Sequence, residues 1–219
     1  MSDQLSQLVL IRHGQSRSNL ELWISGQATC GGLTERGEAE AGLARDYLAT
    51  RPDLAPDAVV VSTMRRAIET AEIVAEPTGL IAEQRAELIE RIPGDVEGMT
   101  VDDYVAQHGT WPGMNWGPAM SPGGEDGVTF MTRVGSALDR VASESIGRTT
   151  WVVCHGFVIR GAAHHFARGD HGAEPPYGGL ANASVSVWQQ AEASPTWRLE
   201  CYNDRAHTLE LDWGTDSFV

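Results

Sequence analysis

Two histidines that follow short apolar segments are the first candidates for catalysis. His13 comes after Leu8–Ile11 and Arg12, and His155 comes shortly after Thr150–Val153. A neutral imidazole is abundant near pH 7 and can attack without first losing a proton. Arginine presents a fork of donors that matches the oxygens of a phosphate group. The pair Arg12-His13 therefore indicates attack by an imidazole on a bound phosphate.

Other polar residues would complete such a site. Arg66 falls in the first turns of a predicted helix after Ser62, so its guanidinium and the helix N-terminus could both hold phosphate oxygens. Gly156 leaves room for a ligand close to the backbone. A leaving alkoxide needs a proton, and Glu90 and Glu97 are the candidate acids. His155 could donate to the equatorial oxygens as charge shifts in the transition state.

The pattern of strands and helices explains how these distant residues could meet. Apolar runs predict buried strands at residues 8–11, 58–61 and 150–153. Helical patterns lie between them: one capped by Thr34, one over 63–78 and one along 128–141. Further strands are predicted at 184–188, 196–202 and 208–211.

This alternation predicts an α/β fold: a three-layer α/β/α sandwich with a mostly parallel central sheet. Ligands of such sheets bind beyond the carboxyl ends of the strands. Arg12-His13, Ser62 and His155 all fall at such ends, so we expect one shared site. The 219 residues are predicted to form a single domain.

The segment 92–127 differs from the rest of the chain. It is rich in Gly, Pro and Trp and shows little periodicity beyond residues 101–107. Long irregular segments in compact domains are commonly lids or binding loops. A small loop-rich cap is therefore expected here, and Trp111 and Trp116 could equally line it or cover the core beneath it.

The composition limits the partners. The net charge of −14 argues against nucleic acids and anionic membranes, which require clustered Lys and Arg. Three widely spaced cysteines fit a reducing compartment, and the first residues lack the pattern of a signal peptide. A cytoplasmic protein with a small phosphorylated substrate is predicted.

The motifs, taken in order, resemble the histidine phosphatase superfamily, which has the phosphoglycerate mutase-like fold. The resemblance rests on these segments: Leu10–Ser16 with Asn19, Gly26, Leu33–Gly37, Ser62–Ala71, Leu88–Glu90, Gly94–Thr100, Pro122–Glu125 and Val153–Gly156. The first of them reads LIRHGQS and the last reads VCHG. The ordered set covers most of the chain up to about residue 160 and is far more specific than a lone Arg-His-Gly.

This resemblance implies a role for each site residue. His13 is the phosphorylated residue, Glu90 is the proton donor, and Arg12, Arg66 and His155 complete the phosphate pocket. Supporting pocket residues are Ser16, Asn19, Gly26, Ser62 and Gly156. The family uses no metal and no cofactor is expected. Relatives often pair, so a homodimer is consistent with the resemblance, although no sequence feature shows it.

Two points of the pattern leave alternatives. Arg65 and Arg66 are adjacent, and alignment on Ala67 and Thr70 favours Arg66 as the second phosphate-binding arginine. His164, His165 and His171 invite a metal hypothesis, but they lack a tight ligand spacing such as H-E-x-x-H, so no metal site is predicted.

Three functions remain open: a phosphomonoester hydrolase, a cofactor-dependent phosphoglycerate mutase, and a phosphate-binding protein with weak turnover. A mutase must keep water from phosphohistidine, which in the family goes with a larger insertion before the second histidine. The stretch from Gly98 to His155 is short, which favours hydrolysis of a small metabolite. Residues 178–184 are also similar to the glucosyl-3-phosphoglycerate phosphatases, a subgroup of the superfamily, so a sugar phosphate or phosphoglycerate derivative is one expectation.

Overall fold

The computed structural model describes residues 5–111, 116–167, 169, 178–191, 194 and 196–211. Its strands are β1 (Leu5–Arg12), β2 (Ala58–Ser62), β3 (Glu83–Arg85), β4 (Thr149–Cys154), β5 (Val185–Ala191) and β6 (Arg198–Asp204). Its α-helices are α1 (Arg17–Glu21), α2 (Glu35–Ala49), α3 (Arg65–Ala75), α4 (Val101–His108), α5 (Gly127–Glu144) and α6 (Gly156–Phe166).

The strands form one six-stranded sheet in the order β3-β2-β4-β1-β5-β6. The pairs β3-β2, β2-β4 and β4-β1 are parallel, whereas β5 runs antiparallel to both β1 and β6. The expectation of a mostly parallel α/β sheet is confirmed. Because β1, β2 and β4 are parallel neighbours, their carboxyl ends meet at one edge.

Two apolar layers cover the sheet. On one face Leu8 and Leu10 of β1 pack with Phe130 of α5 and Ile159 of α6. On the other face a second cluster joins the remaining β1 side chains to α2 and α3: Val9, Ile11, Ala41, Ala44, Ala67 and Ala71. Alternation along a strand sends successive side chains to opposite faces, so the unbroken apolar run of β1 serves both layers.

Helix boundaries follow local chemistry. Thr34 caps α2 by accepting from the Gly37 N–H, and Asp126 caps α5 by accepting from the Thr129 N–H. The helix predicted over 63–78 is shorter in the structure, because α3 ends at Ala75 and a 3₁₀ turn with Pro77 follows. The apolar stripe of α5 is confirmed, except for Val128, which is 54% exposed at its first turn.

The structure differs from the predicted strands at two places. The strand predicted at residues 208–211 is wrong: Ala206–Thr208 is a 3₁₀ turn, and Leu209 is exposed. Among the described residues the sheet ends with β6 as its edge strand, and Leu209 and Leu211 do not pair with it. The edge strand β3 was missed because its residues, Glu83–Arg85, are all polar and only its backbone pairs with β2.

The region predicted as a cap contains α4 and a set of turns. Ile24, Val96 and Tyr104 form a small apolar cluster separate from the two main layers, with Met99 and Met120 against it. Residues 112–115 lie outside the described part of the chain. No helix within the described residues is long and apolar enough to cross a membrane.

Candidate active site

The carboxyl ends of β1 and β4 bring the two candidate histidines together. The His13 N–H donates to the Cys154 carbonyl at 3.0 Å, which continues the parallel pairing by one residue. The ring centroids of His13 and His155 are consequently 5.2 Å apart. Both imidazoles are buried, and His155 is fully covered behind His13.

The hydrogen bonds of His13 define which nitrogen carries its proton. Nδ1 lies 2.7 Å from the Gly14 carbonyl oxygen, which can only accept, so Nδ1 is the donor. Nε2 therefore keeps its lone pair, and it accepts from Nε of Arg66 at 3.1 Å. Burial, and then the charges of Arg66 and Arg12, hold the pKa of His13 well below its usual value. His13 is thus a neutral imidazole with its free lone pair on Nε2.

Two buried guanidinium groups surround this nitrogen. Arg66 also donates from Nη1 to the Ser25 hydroxyl at 3.1 Å, and the Cys30 sulfur lies 3.6 Å from the same nitrogen. Arg12 donates to the Leu180 carbonyl. Burial lowers the pKa of Arg12 to about 10, against an opposing effect of the Glu90 charge. Arg12 therefore still carries its positive charge at neutral pH.

The adjacent Arg65 faces the other way. Its Nε pairs with Glu69 at 2.6 Å on the surface of α3, and its side chain is 68% exposed. One helical residue separates the two arginines by about 100°, so only one of them can point into the sheet edge. The structure places Arg66 there.

The hydroxyl of Ser62 sets the orientation of His155. Its Oγ lies 2.7 Å from His155 Nε2 and accepts from the Met64 N–H at 3.3 Å. If Ser62 donates its proton to Nε2, the His155 proton lies on Nδ1; if Nε2 donates to Ser62, Nδ1 carries the lone pair. That Nδ1 is buried and has no hydrogen-bond partner. Burial, followed by the Arg66 charge, lowers the pKa of His155 well below its usual value, so this imidazole is neutral as well.

Glu90 reaches the same cleft from a different segment. One carboxylate oxygen accepts from the Arg91 N–H at 2.9 Å, and the other accepts from the Phe157 N–H at 3.2 Å in the first turn of α6. The cleft is lined by Arg12, His13, Ser18, Asn19, Trp23, Ile24, Ser25, Arg66, Glu90, Arg91, Pro93, Val101, Met120 and Phe157. Its free volume is about 120 Å³, and it opens to solvent.

Arg133 of α5 fixes the segment that carries Glu90 by hydrogen bonds to its backbone. Arg133 donates to the carbonyls of Glu87 at 2.8 Å and Ile89 at 3.0 Å, and it pairs with Glu125 at 2.5 Å. Glu125 also accepts from the Ile92 N–H at 3.0 Å. This network gives a structural role to the Pro122–Glu125 motif, which the sequence analysis left without one.

The second candidate acid, Glu97, does not line the cleft. It accepts from the N–H and hydroxyl of Thr29, at 2.8 and 3.1 Å. Gly26 packs directly against it, and a Cβ there would lie 2.2 Å from a Glu97 oxygen. Both residues therefore shape the loop around 26–29. Ser25, the neighbour of Gly26, lines the cleft and Gly26 does not, so a pocket role for Gly26 stays a prediction.

The other expected pocket residues divide into two groups. Asn19 lines the cleft, whereas Ser16 is buried as the cap of α1 and accepts from the Asn19 N–H at 3.3 Å. Ser62 and Gly156 also lie outside the open cleft. Ser62 contacts His155, and a Cβ on Gly156 would lie 3.7 Å from the Arg12 guanidinium. Ser16, Ser62 and Gly156 thus act through other residues.

The loop after His13 is fixed by three elements. A Cβ on Gly14 would lie 2.2 Å from the Gly37 carbonyl oxygen, so α2 and this loop can approach only through glycine. The Gly14 N–H donates to Thr70 Oγ1 at 3.1 Å, and Thr70 in turn donates to the Arg66 carbonyl at 2.7 Å. The Gln15 N–H donates to the buried Glu40 at 2.7 Å. Thr70 thereby links the His13 loop to the helix of Arg66.

Several cleft residues were missed by the sequence analysis. Trp23, Met120 and Phe157 line the opening, yet each stands among apolar neighbours with no pattern that marks a site. Trp116 packs edge-on to Phe130 at 5.8 Å within a main core layer, so of the two alternatives it covers the core. Trp111 is 37% exposed.

The histidines considered as metal ligands are dispersed. His165 pairs with Asp139 at 2.8 Å, and His164 is buried on α6. His171 lies outside the described residues. Within the described ranges, no three His, Cys, Asp or Glu side chains converge in a way that could hold a metal ion. Cys154 is a buried thiol whose pKa is raised by burial, so it is protonated.

Comparison with known proteins supports the same architecture. Glucosyl-3-phosphoglycerate phosphatase of Mycobacterium tuberculosis is 29% identical over 221 residues, covering 91% of this chain and 95% of the relative. A 2,3-bisphosphoglycerate-dependent phosphoglycerate mutase of Azorhizobium caulinodans is 34% identical over 163 residues, covering 70% of this chain and 77% of the mutase. The native structure of a mycobacterial glucosyl-3-phosphoglycerate phosphatase superposes with a TM-score of 0.76 at 27% identity, over 91% of this chain and 99% of that one.

The sequence profile that describes the histidine phosphatase superfamily (branch 1) matches residues 8–205, which is nearly the whole described chain. The fold and the cleft agree with that match. The chain belongs to the histidine phosphatase superfamily.

Proposed function

We propose that this protein hydrolyses phosphate monoesters of small metabolites through a phosphohistidine intermediate on His13. The observation that carries the proposal is the state of its imidazole. Nδ1 donates to the Gly14 carbonyl, and the lone pair of Nε2 accepts from the guanidinium of Arg66, which would turn to the phosphate oxygens when substrate binds. A neutral, oriented nitrogen among cationic donors is what nucleophilic attack on a phosphate dianion requires.

In the first step the substrate phosphate binds between Arg12 and Arg66, whose positive charges offset those of its oxygens. Nε2 of His13 attacks phosphorus in line with the ester oxygen, the N–P bond forms and the P–O ester bond breaks. Glu90, as the carboxylic acid, transfers its proton to the leaving alkoxide. The alcohol leaves, and Glu90 is then a carboxylate.

In the second step water attacks the phosphohistidine. Glu90 accepts a proton from the water as its oxygen bonds to phosphorus, and the N–P bond breaks. Inorganic phosphate is released, and His13 and Glu90 return to their starting states. In the tautomer that carries its proton on Nδ1, His155 would donate from this buried, unpartnered nitrogen to an equatorial oxygen in both steps.

The positive charge in this scheme comes from Arg12 and Arg66, so no metal ion takes part in it. The proposed roles of the site residues follow from their positions: Arg12, His13, Arg66 and Glu90 line one cleft. Ser62 orients His155, while Asn19 lines the opening.

A phosphoglycerate mutase is the second candidate, because two relatives carry that name. A mutase must retain the phosphoryl group and return it to a second hydroxyl while excluding water. The cleft of this protein is open to solvent, which favours hydrolysis. The third candidate, a binding protein without turnover, accounts less well for an acid placed beside the nucleophile.

The direct test is phosphate release from a panel of phosphorylated metabolites, with isomerisation of 3-phosphoglycerate measured in parallel and with and without a chelator. We expect phosphate release that a chelator leaves unchanged, and no isomerisation. Isomerisation faster than release would identify a mutase, and phosphate binding without either reaction would identify a binding protein.

A cytoplasmic location and a homodimer stay predictions. Light scattering of the purified protein would test the second.

A further inference from the structure

We propose that the preferred substrate is a monophosphate ester whose alcohol part is uncharged and largely apolar, such as an aryl or alkyl group. This inference rests on the proposed phosphatase function and names its substrate class. It comes from what surrounds the alcohol part of a substrate once the phosphate is held between Arg12 and Arg66.

Outside its charged residues and His13, the lining of the cleft is mainly apolar. Apart from Ser18, Asn19 and Ser25, it consists of the residues that we call the outer wall: Trp23, Ile24, Pro93, Val101, Met120 and Phe157. In this proposal the alcohol part of the substrate lies against these side chains. Burying apolar substrate surface there is favourable, whereas burying a carboxylate without a partner is costly.

The outer wall is preformed by backbone pairing. The Ile24 N–H donates to the Met99 carbonyl at 2.9 Å, and the Val101 N–H donates to the Leu22 carbonyl at 2.8 Å. An isolated bridge between Trp23 and Thr100 lies between these bonds. Beneath the wall, Ile24 packs on Val96 and Tyr104. The apolar surface is therefore held in place before substrate binds.

A second acidic group on the substrate would find little positive charge nearby. Among the described residues that line the cleft, the basic side chains are Arg12, Arg66 and Arg91. Arg91 donates from Nε to the Glu125 carbonyl at 2.9 Å and from Nη2 to the Pro118 carbonyl at 2.5 Å. Its guanidinium also lies 5.9 Å from the centre of the Trp116 ring. Arg91 thus stabilises the loop, and the other two arginines are taken by the phosphate.

The remaining charges act in the same direction. The whole protein has a net charge of −14. A substrate carboxylate would be repelled by this charge, in addition to losing its water against the outer wall. The substrate of the mycobacterial relatives, by its name, contains a glycerate. The outer wall therefore argues against carrying that substrate over to this protein.

The test compares phenyl phosphate with 4-carboxyphenyl phosphate, which differ by one carboxylate on the same ring. The carboxylated phenol is the better leaving group, so chemistry alone would favour it. We expect kcat/KM for phenyl phosphate to be about tenfold higher than kcat/KM for 4-carboxyphenyl phosphate. A factor of this size corresponds to one strongly unfavourable contact of the carboxylate. A higher kcat/KM for the carboxylated ester would overturn the inference while leaving the phosphatase function intact. Absence of turnover for both esters, with phosphate released from another metabolite of the panel, would also overturn the inference, whereas absence of release from every ester would refute the proposed function.

A variant of the outer wall sharpens this test. Met120 is half-buried at the opening, and Met120→Arg would place a cation where the carboxylate of the second ester must lie. We expect the preference for phenyl phosphate to fall at least fivefold in Met120→Arg and to stay within twofold of wild type in the matched control Met120→Leu. An unchanged ratio in a folded Met120→Arg variant would show that the alcohol part does not contact the outer wall, against the inference.

Discussion

The floor of the cleft and its outer wall are built in opposite ways. The floor, which consists of Arg12, His13, Arg66 and His155, follows the ends of strands and is buried, charged and fixed by hydrogen bonds. The outer wall is apolar, partly exposed, and assembled from segments distant in sequence. Under the proposed function the floor would determine which bond is broken, and under the further inference the wall would determine which alcohol is accepted.

The largest expected effect separates the floor from the surface of its own helix. Arg66→Ala should lower kcat/KM about 10³-fold, because a buried guanidinium that stabilises a phosphoryl transition state is worth that much or more. After burial, the charge of Arg66 is the largest cause of the lowered pKa of His13, so removing that charge should raise this pKa. The acidic limb of the pH–rate profile would then shift to higher pH.

The adjacent Arg65 is the matched control. Arg65→Ala removes an exposed ion pair with Glu69 and should change kcat/KM less than twofold. If Arg65→Ala were the more damaging of the two, the arginine that binds phosphate would have been assigned one residue too late.

The second effect concerns the proton donor. Glu90→Gln should lower kcat/KM, which reports the steps up to phosphorylation of His13, about 10²- to 10³-fold with an alkyl phosphate, as expected for the loss of a general acid. With 4-nitrophenyl phosphate, whose phenolate leaves without a proton, the loss should be much smaller. Steady-state kinetics with the two esters measures this difference.

Glu97→Gln provides the comparison, because Glu97 accepts from Thr29 and lies away from the cleft. Its effect should be the same for both esters. Equal losses for both esters in Glu90→Gln would mean that Glu90 only helps to form the site.

The sequence predicted the floor much better than the wall. Arg12, His13 and His155 follow apolar strands directly, and parallel strands bring their carboxyl ends to one edge whatever the rest of the chain does. The positions of these three residues therefore follow from the predicted strands and their parallel arrangement. The orientation of Arg66 needed the helix geometry, which separates it from Arg65.

The wall could not be predicted for a physical reason. Trp23 and Val101 meet through backbone pairing between two loops, and backbone hydrogen bonds leave no periodic pattern in the side chains. Gly26 and Glu97 both belong to the family motifs, yet they pack against each other and do not line the cleft. The strand expected at 208–211 failed for a similar reason, since apolar residues alone do not create a pairing partner.

The smallest effect is on stability, and it also distinguishes the floor from the outer wall. The pKa values of buried His13 and His155 in the folded protein lie well below 6.5. In the unfolded chain both imidazoles take up a proton once the pH falls below about 6.5. The unfolded state then holds more protons, so the free energy of unfolding falls as the pH drops below about 6.5. Each group contributes at most about 1.4 kcal/mol per pH unit.

Denaturant unfolding between pH 5 and 8 would measure this slope. His13→Gln and His155→Gln should each make it shallower, whereas Met120→Leu in the wall should not alter it. A slope in either histidine variant equal to that of wild type would show that the replaced imidazole is charged when folded.

The most direct test of the account is to trap the intermediate. The protein would be mixed rapidly with phenyl phosphate, quenched in alkali, where phosphohistidine survives, and digested for mass spectrometry. The account predicts one phosphoryl group on the peptide that contains His13, formed as fast as phenol is released and absent in His13→Ala. A burst of phenol with no phosphoryl group on His13, or turnover that persists in His13→Ala, would contradict it.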